Sequence, residues 1–165
     1  MKYSQKLEQL FGLVDEAIPQ DYVALGFTLD DAAELIHMAT DYALLNEEAE
    51  SPNVWASVHA WYALGQLQVL DAIEPLLDQI DKYPYDLLFD KDYPKVFKLM
   101  GKGCIPILGA YLNDSKRPEQ ARELCCHYLS EMGQEYRTEC VEVLTDFLHR
   151  AENHDVNLNA FVVSS

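Results

Sequence analysis

The chain has 165 residues, of which 12 are Lys or Arg, 28 are Asp or Glu and 49% are apolar, giving a formal charge of -16. That is one domain's length with enough apolar side chains to bury a core, so a disordered chain is excluded. Nucleic acid and anionic membrane surfaces are excluded as partners too, because both are bound through neutralising Lys and Arg. Apolar residues recur at spacings of three and four, and no alternating run is bounded by Asn-Gly or Asp-Gly, so the chain reads as all-α.

In chain order, the pattern predicts a first helix over about 4–18, with Leu7, Leu10, Phe11, Val14 and Ala17/Ile18 on one face and Pro19 closing it. Met1 to Gln20 holds no continuous apolar run of the secretory kind, and no stretch approaches the ~18 apolar residues of a membrane span. A cytoplasmic location with no membrane partner is therefore expected. A second helix runs from Thr28, with Asp31 as its cap-like partner, through Leu35, Ile36, Ala39 and Ala43 to about Asn46. Glu47, Glu48 and Glu50 form an acidic linker. Ser51-Pro52 opens the next helix with a capping hydroxyl and a proline at its first position, and that helix ends near Gly65. Asp71-Ala-Ile-Glu74 resembles a capping box, Pro75 fits the first turn, and the helix it opens reaches about Tyr83.

A repeat lies beneath these helices. At an offset of 68, His59 falls on His127, Leu64-Gly65-Gln66 on Met132-Gly133-Gln134, Asp71 on Glu139, Glu74 on Glu142 and Asp78 on Asp146. Met100-Gly101 followed by Pro106-Ile-Leu108 marks a copy between them, so the mean period is about 34 residues. Each unit is a helix ending in an apolar-Gly step, a turn and a second helix, and the glycine suits a left-handed helix end. Such a pair cannot cover its apolar face alone, so neighbours are expected to stack into a right-handed α-α superhelix.

The residues Val58-His-Ala-Trp-Tyr-Ala-Leu-Gly-Gln-Leu67 and Asp71-Ala-Ile-Glu-Pro-Leu-Leu77 resemble a HEAT repeat of the short bacterial kind, also found in phycobilisome lyase-type proteins. With the unit holding Gly101 and Pro106 and the pair from Arg122 to Leu148, the chain from about 51 to 165 is similar to a bacterial HEAT-like domain family of unknown function. The resemblance implies HEAT-like helical pairs in a superhelix that serves as a binding scaffold, with no catalytic residues to carry over. It divides the single α-solenoid domain, 1–165, into an N-terminal helical pair (1–46), HEAT-like units at 51–83, 94–114 and 118–153, and the start of an incomplete unit at 156–165. The middle unit departs from the pattern. The Tyr/Pro/Asp-rich stretch Tyr83 to Pro94 stands where much of its first helix should be, so a kink or loop is expected there. Leu158-Asn-Ala-Phe-Val-Val163 matches the opening of a further first helix, which is expected to fold back as a cap, pair with a second chain as a homodimer, or be a repeat cut short by truncation.

In HEAT-type solenoids the second helices line the concave surface. The resemblance thus puts Asp71, Glu74 and Asp78, with Glu139, Glu142 and Asp146, in an acidic groove for a protein partner with a basic surface or peptide. Equally, such a stripe is what a solvated helix face looks like. Aromatic anchors are expected at the loop residues Tyr85 and Phe89, whereas Trp61 is expected in the core.

Chemistry has weaker signals. Glu34-Leu-Ile-His37 and Asp146-Phe-Leu-His149 have the spacing that puts a carboxylate and an imidazole on one helix face, as in helical di-metal sites. Asp90-Lys-Asp92 could hold a divalent cation only weakly, and His154-Asp155 has no further metal-spaced partners. No G-x-S-x-G elbow or Gly-rich phosphate loop is present. Cys125-Cys126-His127 lies within one predicted helix, where His127 cannot face both thiols. With Cys104 and Cys140 these read as reduced core thiols. His59 and His127 read as half-buried imidazoles between helices. The expectation is a non-enzymatic protein-binding scaffold without a cofactor. The alternatives are a small helical metal-binding enzyme using Glu34, His37, Asp146 and His149, or an accessory lyase or chaperone for a tetrapyrrole protein.

Overall fold

A computed structural model describes residues 3–13, 18–46, 51–83, 86–150, 158–159 and 162–163. Among the described residues the secondary structure is entirely helical, and no helix is long and apolar enough to cross a membrane. The chain divides into two compact units, Met1–Leu76 and Leu77–Ser165.

In the first unit, Ser4 caps α1 (Gln5–Glu8) by accepting a hydrogen bond from the Leu7 amide. The chain continues as a 3-10 turn over Gln9–Gly12 and becomes extended at Leu13, short of the helix expected over 4–18. Gly12 falls where that helix stops, the residue with the least to gain from helical backbone. Leu7 and Leu10 are buried as expected, while Val14 and Ala17 lie outside the described residues.

Thr28 and Asp31 do open the next helical segment: the Thr28 amide donates to the Asp31 carboxylate at 2.8 Å. A 3-10 turn over Leu29–Asp31 leads into α2 (Ala32–Ala39). The helix expected to reach Asn46 breaks at Thr40. Its hydroxyl bonds back to the Ile36 carbonyl, and Asp41 caps a separate α3 (Tyr42–Leu45) through the Ala43 amide. Short polar side chains here offer the backbone partners that compete with helix continuation.

The longest helix of this unit is α4 (Pro52–Gln66), capped by Ser51 through the Asn53 amide with proline in the first turn. It packs against α2 and α3. Trp61 is fully buried, and its Nε1–H donates to the Ala39 carbonyl at 2.7 Å, as its core assignment requires. The left-handed residue that ends α4 is Gln68 (φ 53), not Gly65. The Val69 amide reaches the Leu64 carbonyl and the Gln68 amide that of Gly65, the double bond pattern that closes a helix in this way.

After a 3-10 turn over Leu70–Ala72, α5 (Ile73–Lys82) begins in the first unit and ends in the second. The second unit then holds α6 (Leu87–Met100), α7 (Ile105–Asn113), α8 (Glu119–Met132) and α9 (Arg137–Arg150). Of the kink or loop expected between Tyr83 and Pro94, the loop is replaced by helix from Leu87 onward. Asp86 caps α6 through the Leu88 amide, and Pro94 lies buried inside it. An internal proline removes a backbone bond and costs about 3 kcal/mol. Opposing that cost is an aromatic ladder: Phe89, Tyr93 and Phe97, four residues apart, stack ring on ring, and Tyr128 of α8 lies 6.1 Å from Tyr93 and 5.4 Å from Phe97 between ring centroids. Of the apolar-Gly steps at Gly65, Gly101 and Gly133, only Gly101 takes a positive φ (79).

Within this unit α6 packs on α8, α7 on α8 and α9, and α8 on α9. The α7–α9 approach is close at Gly109, where an added Cβ would meet Val143 Cγ1 at 2.7 Å. At the C-terminal end Leu158 is fully buried and Val162 nearly so. Val163, beside them, is 76% exposed.

Candidate functional site

Of the six acidic residues singled out in the sequence, Asp71, Glu74, Asp78, Glu142 and Asp146 are exposed and Glu139 is half-buried. Asp71 stands in the 3-10 turn before α5, Glu74 and Asp78 on α5, and Glu139, Glu142 and Asp146 on α9. All six belong to second helices or their leading turns. The intervening second helix, α7, breaks the acidic pattern: it contains no acid, and its exposed positions include Pro106 and Ala110. Where Gly109 lies against Val143, the next residue on α7 and the preceding one on α9 are the exposed Ala110 and Glu142.

The six carboxylates do not share one electrostatic state. Asp78 is bridged to Arg117 at 2.8 Å, and the same guanidinium contacts Asp81 and lies 3.6 Å from Asp114. Asp81 also accepts from the Tyr111 hydroxyl, and Arg117 stacks over the Tyr111 ring at 4.8 Å. Bonds from Asp78 and Asp81 push the Arg117 pKa up, so the cation is permanent. Asp146 is paired along its own helix with Arg150 at 2.8 Å. Asp71, Glu74, Glu139 and Glu142 make no ion pair among the described residues, and of these Asp71, Glu74 and Glu142 are exposed. Arg117 is the residue that sequence reasoning missed. It acts on an aspartate 39 positions away, and no local spacing announces that.

The aromatic anchors fare differently. Phe89 is not a loop residue: it sits in the first turn of α6 with no exposed surface, stacked on Tyr93, so it cannot meet a partner. The ladder with Tyr93 and Phe97 takes it inward. Tyr85 lies outside the described residues.

Among the described residues no three His, Cys, Asp or Glu side chains converge as metal ligands. Glu34 accepts from the Ser4 amide at 2.5 Å, and His37 packs edge-on against Tyr3. Asp146 is held by Arg150. Glu34 and His37 are thus engaged with the N-terminal segment, and Asp146 with Arg150. His154-Asp155 lies outside the described residues.

All four cysteines are free and buried, as core thiols should be. Burial pushes Cys104 and Cys126 up to about 12 and Cys140 up to about 11, and raises Cys125 well above the ordinary range. A thiolate nucleophile is disfavoured at each. The two repeat-related histidines differ from one another. His59 is fully buried and bonded through Nδ1 to the Tyr22 hydroxyl at 2.6 Å, whereas His127 is half-buried with Nε2 3.8 Å from Asp90. Only His127 has the half-buried setting expected of both.

A hollow of about 410 Å³ opens between α8 and α9, walled by Leu129, Cys140, Val141 and Leu144 and edged by Glu131 and Arg137. Opposite charges on one rim select neither an anion nor a cation. Comparison of the chain with protein-family models, curated proteins and solved structures finds no match.

Proposed function

We propose that this protein is a non-catalytic binding scaffold built from HEAT-like helical pairs, which recognises a basic surface or peptide of a protein partner through the acidic face of its second helices. The observation that carries this reading is the exposure of Glu74 on α5 and of Glu142 on α9, 68 residues apart in sequence and each without an ion pair among the described residues. Carboxylates left uncompensated on a chain of charge -16 favour fast, selective encounter with cations. The solenoid part of the reading draws on the packing of the second unit. First helix lies on first helix (α6 on α8) and second on second (α7 on α9), as in a stack of two-helix units.

The test is affinity capture from lysate of the native host at low and moderate salt, comparing the wild type with Glu74→Lys/Glu142→Lys. These two positions are chosen over Asp78 because reversing Asp78 would also disturb Arg117. One basic partner retained by the wild type and lost by the variant or on adding salt supports the reading. Capture indifferent to both charges and salt reduces the stripe to a solvated helix face.

A further inference from the structure

The turn between residues 21 and 30 exposes three large apolar side chains: Val23 at 56%, Leu25 at 40% and Leu29 at 65%. Single exposed apolar residues are common on any surface, but three within seven residues, on a turn pinned from beneath, are not scattered. The pinning is extensive. Tyr22 and Phe27, at the two ends of the turn, are buried and meet edge to face. The Tyr22 hydroxyl bonds His59, its amide donates to Gln66 Oε1 at 2.9 Å, and Gln66 Nε2 returns a bond to the Gln20 carbonyl at 2.6 Å. Inside the turn the Phe27 amide reaches the Tyr22 carbonyl, the Leu25 amide reaches that of Asp21, and Gly26 supplies the positive φ (92). An apolar patch already ordered in this way loses little entropy on binding.

Its rim is acidic. Asp21 and Asp30 flank the patch and are both exposed. Lys6, which lies over the Phe27 ring at 5.3 Å, is neutralised by Asp31. An apolar centre between carboxylates complements a segment whose apolar side chains alternate with Lys or Arg. It disfavours a second copy of this chain, which would bring an acidic rim against an acidic rim at a charge of -16 on each molecule. We infer that the turn carrying Val23, Leu25 and Leu29 is a docking surface for a cationic, apolar peptide segment of a partner protein. This rests on the reading of the protein as a binder of basic partners, but assigns the contact to different residues from the second-helix acids.

The probe is a fluorescently labelled, amidated peptide of Leu and Lys at helical spacing, with two controls: the same peptide with Glu for every Lys, and one with Ser for every Leu. Binding is read by anisotropy at physiological salt. The expected result is saturable binding of the Leu/Lys peptide alone, weakened about tenfold or more by Val23→Ser/Leu25→Ser/Leu29→Ser and several-fold by Asp21→Lys/Asp30→Lys. All three apolar side chains are exposed, so the triple variant should keep the wild-type melting curve, checked by circular dichroism. Affinity lost in Glu74→Lys/Glu142→Lys but kept in the triple variant overturns this inference and leaves the second-helix reading standing. The reverse pattern supports the turn and counts against the second helices. Equal binding of the Glu peptide, no binding of any peptide, or a dimer in sedimentation that the triple variant abolishes each overturns the docking of a cationic segment here.

Discussion

The phenolic oxygen of Tyr22 lies 2.6 Å from Nδ1 of His59, and both side chains are fully buried. Burial raises the Tyr22 hydroxyl well above the usual tyrosine range, so it stays protonated at every ordinary pH, and the imidazole tautomer sets which of the two groups donates. Through this bond a surface turn is fixed to the interior of α4. Tyr22→Phe removes the hydroxyl while keeping the ring, and should cost about 1–3 kcal/mol. Tyr42→Phe, whose hydroxyl makes an exposed contact with Asn46, should cost less than about 0.5 kcal/mol. Urea unfolding of the two variants checks the contrast; equal costs would mean that the Tyr22 bond contributes nothing special.

The α7–α9 contact depends on the missing side chain of Gly109. A Cβ there meets the branched end of Val143 at 2.7 Å, and a β-branched side chain within a helix has little freedom to turn aside. Gly109→Ala should destabilise by about 1–3 kcal/mol despite alanine's better helix propensity, and Val143→Ala in the same chain should restore part of the loss. Chemical denaturation of the single and double variants measures the coupling. Additive losses would refute the contact.

Arg117 gathers Asp78, Asp81 and Asp114 and stacks on Tyr111. Because it is partly exposed, its ion pairs are worth only about 1 kcal/mol and are screened by salt. Arg117→Met should lower stability by about that amount at low salt and by visibly less at high salt. A loss that does not change with salt would assign the residue's role to packing on Tyr111 rather than to charge.

The buried thiols predict alkaline instability. Unfolded cysteines lose their protons near 9.0, whereas in the folded protein Cys140 holds its proton to about 11 and Cys104 and Cys126 to about 12. A folded-state pKa raised above the unfolded one gives stability that is complete below pH 9.0 and is lost as pH rises toward the folded values. Under reducing conditions the melting temperature should hold to about pH 9 and fall beyond it, with Cys104→Ala showing a shallower decline. A flat profile to pH 11 would contradict the burial-driven shift. Alkylation of the same thiols should proceed no faster than unfolding.

Much of the helical frame is legible in the sequence, because the signals involved are local. Ser51 before Pro52, Thr28 with Asp31, and the three- and four-residue spacing that buries Leu35, Trp61, Leu64 and Leu108 each act within a turn or two of backbone. The same locality explains the misreadings. Thr40 and Asp41 looked like helix interior until their side chains bonded to neighbouring backbone groups and split the segment. Gly65 looked like the helix terminator, but the closing conformation fell to Gln68, where the bonds to Leu64 and Gly65 could both form.

The sequence by itself determined the helical secondary structure of the described residues, its core thiols and a large excess of carboxylates. Tertiary structure alone decided that α6 runs through Pro94, because the stacking of Phe89, Tyr93 and Phe97 with Tyr128 depends on a helix that follows many residues later. It also decided that Phe89 is core, that Asp78 is neutralised by Arg117 while Glu142 is not, and that Val23, Leu25 and Leu29 stand on a turn held by His59 and Gln66. These outcomes share one cause. Beyond the i, i+4 ring contacts inside α6, each depends on side-chain contacts between segments distant in sequence, whose free energy exists only once the chain has brought both partners together.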